Sequence, residues 1–184
     1  MLYTGKGDKG TTKLFNTPQG ERVPKTHPVF EALGTVDELV ALLGVLKVHV
    51  ASVSIFITDK SVEQIIHSVQ ETLFVLQAEL AGAGMVIDEA KVAEIASFVD
   101  MIEGELPPIK TFFIAGGTLA AAHADVCRAV SRRMERTLLR AVAADTVLSP
   151  SSLAYANRLS SLLYAIARYC NHTAHVPEIP PSYK

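Results

Sequence analysis

The chain has 184 residues, 49% of them apolar, with 17 Lys+Arg against 19 Asp+Glu and a formal net charge of −2. That length and apolar share suit one domain with a sizeable core, and the near-neutral balance excludes a general polyanion binder such as a duplex-DNA protein, so any anion site must be local. Cys127 and Cys170 are too few for a disulfide framework and lack zinc-site spacing.

Residues 1–27 are rich in Gly, Thr and Lys, carry a Pro18-Gln19-Gly20 turn signal and show no helical apolar period, so they read as an irregular arm. Met1 to Thr12 has neither an apolar h-region nor an Arg- and Ser-rich leader composition, and the expectation is a mature, cytoplasmic chain with reduced core thiols. From Pro28, the residues Phe30, Leu33, Val36, Val40, Leu43 and Leu46 follow helical spacing; the β-branched stretch from Val50 to Thr58 is left unassigned. Asp59 or Ser61 can cap a second helix whose stripe runs from Val62 through Leu73 to Leu80 and ends at Gly82 and Gly84. A third is predicted from Asp88 to the residues before Pro107-Pro108. Phe112-Phe113-Ile114 is a connector, Gly116-Gly117 leads into a fourth helix ending near Ala144, and Ser149-Pro150-Ser151 opens a fifth from about Ser152 to Asn171. Pro177, Pro180 and Pro181 keep the tail from being helical. The expectation is an all-α protein of one domain, 1–184: an arm (1–27), a five-helix up-and-down bundle (28–171) and a tail (172–184), with negligible strand. Its apolar runs fall short of the ~20 residues of a membrane span, so a soluble protein is expected.

Three constellations could carry chemistry. In Thr4-Gly5-Lys6-Gly7-Asp8-Lys9-Gly10-Thr11-Thr12, glycines let successive N–H groups converge on an anion, lysines add charge, and Thr and Asp oxygens suit phosphate or Mg²⁺. No Walker pattern is present, and on composition alone a flexible terminus fits equally well. At about 100° per residue, Arg128, Arg132 and Arg136 form a drifting ridge that Glu135 can brace; guanidinium forks there suit phosphate or a neighbouring subunit's carboxylates, and a salt-bridged outer face is the plainer alternative. Asn157, Ser161 and Arg168 share a face of the fifth helix, where an amide could read a base edge. On the first helix, Gly34 within Glu31-Ala32-Leu33-Gly34-Thr35-Val36-Asp37-Glu38 suggests a close approach, and Asp37 is a candidate partner for Arg128. The histidines show no ligand spacing.

Together these segments resemble the PduO-type ATP:cob(I)alamin adenosyltransferases. The likeness rests on Tyr3-Thr4 with Gly7-Asp8-Lys9-Gly10, on Gly20 to Lys25, on Glu31 to Leu39, on Phe112 to Gly117, on Arg132-Arg133-Met134-Glu135-Arg136 and on Asn157-Arg158-Leu159-Ser160. It implies a bundle ferritin-like in style, assembled as a homotrimer, with ATP between subunits. The implied ATP contacts are Thr4, Gly5, Lys6, Gly7, Asp8, Thr12, Lys13 and Lys25 from the arm, then Arg132, Arg133, Glu135, Arg136 and Asn157; Asp37 and Arg128 would form an intersubunit salt bridge. The implied reaction moves the 5′-deoxyadenosyl group of ATP to cob(I)alamin, giving adenosylcobalamin and triphosphate, with Mg²⁺ accompanying ATP. Arg132 and Phe112 are the implied catalytic residues, Phe112 by contacting the corrinoid and helping to expel its lower axial ligand.

The chain departs from the family's usual pattern at Gly5-Lys6, where the cation is displaced by one position, at Ala115, where Pro is common, and at Ser161, where Asp is frequent. The implied partners are a cob(II)alamin reductase and an adenosylcobalamin-dependent mutase, with no nucleic acid and no membrane. An alternative is a nucleotide-dependent corrinoid carrier that delivers adenosylcobalamin to a mutase. An RNA-binding role for the arginine ridge is disfavoured by the acidic balance and the absence of interleaved aromatics.

Overall fold

The computed structural model describes residues 3–183; Met1 and Leu2 of the arm and Lys184 of the tail lie outside the described residues. Among these, five helices form the body: α1 (Pro28–Val53), α2 (Val62–Leu80), α3 (Glu89–Glu105), α4 (Leu119–Ala144) and α5 (Pro150–Thr173). Each start is chemically marked. His27 caps α1 ahead of Pro28, and Ser61 and Gln64 close a reciprocal capping box on α2. Asp88, Thr118 and Ser149 accept from backbone N–H groups at the starts of α3, α4 and α5. The carboxylate of Glu79 accepts a further bond from Ser149 N at 2.6 Å and one from the Ser152 hydroxyl, which ties α2 to the start of α5.

The helices pack in the order α2, α1, α4, α5, α3. Across α1 and α4, Glu38 meets Arg133 while His49 stacks on His123, so the two run antiparallel. Asn171 bonds Thr118 while Asn157 bonds Glu135, so α4 and α5 are antiparallel too. Ala120, Ala121 and Ala124 on the buried face of α4 keep the backbones close, and Met134 and Leu138 fill the core further along. Among the described residues no helix is long and apolar enough to cross a membrane.

Two segments differ from the sequence expectation. Helix α1 continues through the unassigned β-branched stretch as far as Val53, because Val50 extends the stripe of Leu39, Leu43 and Leu46 and is 1% exposed; burial outweighs β-branched propensity. Strand is small but present. In the arm β1 (Thr11–Thr12) pairs antiparallel with β2 (Val23–Pro24), and between α1 and α2 a second hairpin joins β3 (Phe56–Ile57) to β4 (Lys60–Ser61). Helix α5 begins at Pro150, a turn-ready residue at the first helical position, and runs to Thr173.

Candidate functional site

The arm is a folded element, built around Arg22. The guanidinium donates to Thr11 Oγ1 at 2.8 Å, to Thr11 O at 2.7 Å and to Lys6 O at 2.8 Å, lashing the glycine-rich loop to the β1–β2 ladder. Inside the loop, Asp8 N donates to Gly5 O and Gly10 N to Gly7 O, turns made possible by φ of 66° at Gly5 and 73° at Gly10. Lys25 folds back over the loop, and a Cβ on Gly7 would stand 3.0 Å from Lys25 Nζ, so glycine admits the ammonium there. Thr4, Gly5, Lys6, Asp8 and Lys13 are exposed, Gly7 and Thr12 half-buried. The arm is moored to the bundle where Phe15 N donates to Ala81 O at 2.8 Å, at the end of α2. Arg22 lies within the Gly20–Lys25 segment, but its structural part depends on bonds to residues 11 and 16 positions away, which no periodicity reveals.

On α4, Arg132, Arg133 and Arg136 are exposed. Arg133 pairs with Glu38 of α1. Arg136 donates to the Arg132 carbonyl at 2.9 Å. Glu135 does not brace Arg132; it accepts from Asn157 Nδ2 of α5 at 2.7 Å, because its half-buried position turns it toward the neighbouring helix. Among the described residues, no carboxylate pairs with Arg132 or Arg136. The result is two guanidinium groups facing outward, beside an amide whose orientation is fixed by Glu135.

Arg128 pairs within its own chain with Asp125 at 2.8 Å and lies over the Tyr164 ring at 5.8 Å, while Asp37 is exposed on α1. Burial pushes the Tyr164 hydroxyl above its ordinary pKa. Arg168 is in angular line with Asn157, but it is 5% exposed and bound to Glu178, so it belongs to the core and not to the Asn157 surface. Burial raises the thiols of Cys127 and Cys170 to about 12, which leaves them protonated and inert. Among the described residues no group of three His, Cys, Asp or Glu side chains could hold a metal ion.

Phe112 is 78% exposed in the α3–α4 connector. A cleft of about 620 Å³, lined by residues including His49, Phe56, Leu119 and Cys170, opens at the same end of the bundle. The arm lies at the other end, beside the starts of α1 and α5 and the ends of α2 and α4, where His27 Nε2 stands 3.4 Å from Asp145. At 1.5 Å per residue, the 26 residues of α4 set the two ends about 39 Å apart. One chain therefore does not bring the arm, the guanidinium surface and Phe112 together.

The chain is thus a helical bundle with outward-facing arginines on α4, a cationic glycine loop in the arm and an exposed aromatic in the α3–α4 connector, features distributed over its surface. The chain belongs to the cobalamin adenosyltransferase family, whose model matches residues 2–170. It is 36% identical over 181 residues to a corrinoid adenosyltransferase PduO of Citrobacter freundii, an alignment covering 95% of this chain and 51% of that protein, so the chain spans about half the length of that relative. A corrinoid adenosyltransferase of the same organism is 36% identical over 174 residues, covering 91% of this chain and 93% of its own. A solved Phe-to-His variant of a PduO-type ATP:corrinoid adenosyltransferase from Lactobacillus reuteri, complexed with cobalamin and ATP, superimposes with a TM-score of 0.85 at 26% identity, covering 99% of this chain and 97% of that one.

Proposed function

We propose that this chain is a corrinoid adenosyltransferase that transfers the 5′-deoxyadenosyl group of ATP to cob(I)alamin. The observation that carries the proposal is the likeness along nearly the whole chain to a relative complexed with both cobalamin and ATP. Cob(I)alamin supplies the electron pair: the cobalt–carbon bond forms at C5′, the C5′–oxygen bond breaks, and triphosphate leaves. The protein needs no general base, so its work is orientation and electrostatic stabilisation.

The arm, residues 1–27, holds the triphosphate through Thr4, Gly5, Lys6, Gly7, Asp8, Thr12, Lys13 and Lys25. Arg132 and Arg136 of a neighbouring copy offset charge on the leaving phosphate, with Arg133, Glu135 and Asn157 completing the nucleotide site. The separation of the arm from the Phe112 end within one chain supports a site shared between copies. A homotrimer with ferritin-like bundles closes such a heterologous contact into a ring. At each contact Asp37 of one copy meets Arg128 of the next. Phe112 packs on the corrinoid and disfavours its lower axial ligand, and a four-coordinate cobalt is easier to reduce.

Mg²⁺ fits as an ion carried by ATP: Asp8 and the Thr hydroxyls are hard oxygen donors, and Mg²⁺ commonly keeps waters and substrate phosphates in place of an all-protein cage. It would neutralise phosphate charge there. The setting is cytoplasmic, with a reaction that reduces cob(II)alamin upstream and an adenosylcobalamin-dependent mutase downstream.

Purified protein mixed with ATP, Mg²⁺ and chemically reduced cobalamin tests the proposal through cobalt absorbance and triphosphate release. Adenosylcobalamin and triphosphate in equal amounts are expected. Binding of both ligands without triphosphate would favour a carrier instead.

A further inference from the structure

The connector from Pro107 to Thr118 is held by α5 and the tail at Pro107 and again from Phe113 to Thr118, and Phe112 is the exposed residue immediately before the second held stretch. At its start, Arg168 Nη2 donates to Pro107 O at 3.0 Å. In its middle the Arg168 guanidinium lies 5.5 Å over the Phe113 ring, and Ile114 N donates to Ile179 O of the tail at 2.8 Å. The tail is itself pinned: Glu178 accepts from Arg168 Nε and Nη2 at 2.9–3.1 Å, and Val176 N donates to Asn171 O at 2.9 Å. At its end, Asn171 Nδ2 donates to Gly116 O at 2.9 Å and Asn171 Oδ1 accepts from Thr118 N at 2.9 Å. A Cβ on Gly117, whose φ is 95°, would collide with the Asn171 amide, so the connector is fitted against that side chain.

Arg168 and Asn171 are 5% and 8% exposed, whereas Phe112 between their anchor points is 78% exposed. A bidentate pair between the buried Arg168 guanidinium and the half-buried Glu178 carboxylate fixes geometry through parallel hydrogen bonds, which one ammonium cannot reproduce. An exposed ring whose next two residues, Phe113 and Ile114, are held has its backbone position set on that side by those tethers.

We infer that Arg168 and Asn171, with Glu178 of the tail strapped across the connector, are positioning residues for Phe112, fixing where its ring meets the corrinoid. This deepens the function proposed above and rests on it. Neither residue touches substrate. Both act through the connector, and the nucleotide residues lie elsewhere: Asn157 is 11 residues, about 16 Å, back along α5 from Arg168. Disturbing the clamp should therefore divide the kinetics, sparing ATP and harming the corrinoid step.

The test uses full-length Arg168→Lys, Asn171→Asp and Glu178→Ala, each alone and combined with Phe112→Ala. With cob(II)alamin and a chemical reductant supplying the corrinoid, so that the step Phe112 assists is included, each single variant is expected to keep the parental KM for ATP and to lose turnover by on the order of 10–100-fold, the scale of an ångström-sized misplacement. On the Phe112→Ala background the same substitutions should cost less than about twofold, because no ring remains to be positioned. Equal losses on both backgrounds would overturn the inference, as would unaltered turnover in the singles. Hydrogen exchange of the Ile114 amide in Glu178→Ala separates folding from positioning: faster exchange at 112–116 with the bundle amides still protected is expected, and an unchanged Ile114 rate refutes the strap. If the parental protein makes no adenosylcobalamin, the proposed function fails, while the exchange measurement still decides whether the clamp exists.

Discussion

Replacing Arg22 by Ala should open the arm without loosening the bundle. The substitution removes three hydrogen bonds at 2.7–2.8 Å, those to Thr11 Oγ1, Thr11 O and Lys6 O. Charge-assisted bonds net more than neutral ones, but these are exposed to water, so each contributes about 0.5–1 kcal/mol and the set about 2 kcal/mol. With ~1.4 kcal/mol per tenfold, the ratio of closed to open arm falls by at most about 30-fold, and apparent ATP affinity by no more than that. The ladder bonds of β1 and β2 and the mooring of Phe15 to Ala81 remain, which makes a partial loss the expected result. An ATP titration at saturating cob(I)alamin, beside a thermal melt, measures it: KM for ATP rises, turnover at saturating ATP is largely kept, and Tm stays within a degree or two of the parent's, roughly the shift of a surface change. An unaltered KM for ATP would refute the assignment of Arg22 as the arm's organiser.

Arg132→Ala should abolish adenosylcobalamin formation while leaving helix content and assembly intact, since the side chain is exposed and no carboxylate among the described residues relies on it; circular dichroism with the cobalt absorbance assay checks both. Asp37→Ala should weaken assembly by roughly 1–2 kcal/mol per contact, at the low end for a charge pair because Arg128 retains Asp125, and sedimentation at decreasing concentration reads the change. Cys127 and Cys170 should resist a thiol reagent at pH 8 and react at once in denaturant. Their pKa is raised from 9.0 to about 12 in the folded chain, so the unfolded chain loses these protons first as the pH climbs. The contribution is therefore fully present below pH 9 and lost between about pH 9 and 12, visible as a falling Tm across that window.

The bundle was legible because its signals are local. Ser61, Asp88, and Ser149 ahead of Pro150 are caps within one turn of what they cap, and the stripes on α1 and α2 repeat at helical spacing. What escaped was set by distant partners. The end of α1 turned on the burial of Val50, and the arm's fold turned on Arg22 reaching residues far back in the chain. The guanidinium surface was visible as a run of arginines, but its division of labour was not: Arg133 is paired by a residue 95 positions away and Glu135 by one 22 away. Arg168 shows the converse, since angular alignment with Asn157 said nothing about the tail folding over one end of α5 and not the other.

If, as proposed, one nucleotide is gripped by the arm of one copy and the guanidinium helix of the next, two chains defective in different halves should restore each other's site when mixed. Chains lacking Lys6, Lys13 and Lys25 charge (each to Ala) keep an intact α4, and Arg132→Ala chains keep an intact arm. When the two are co-folded in equal amounts, a shared site predicts adenosylcobalamin formation at about one quarter of the parental rate, since that fraction of contacts joins an intact arm to an intact helix. Activity no greater than the sum of the two separate variants would contradict it.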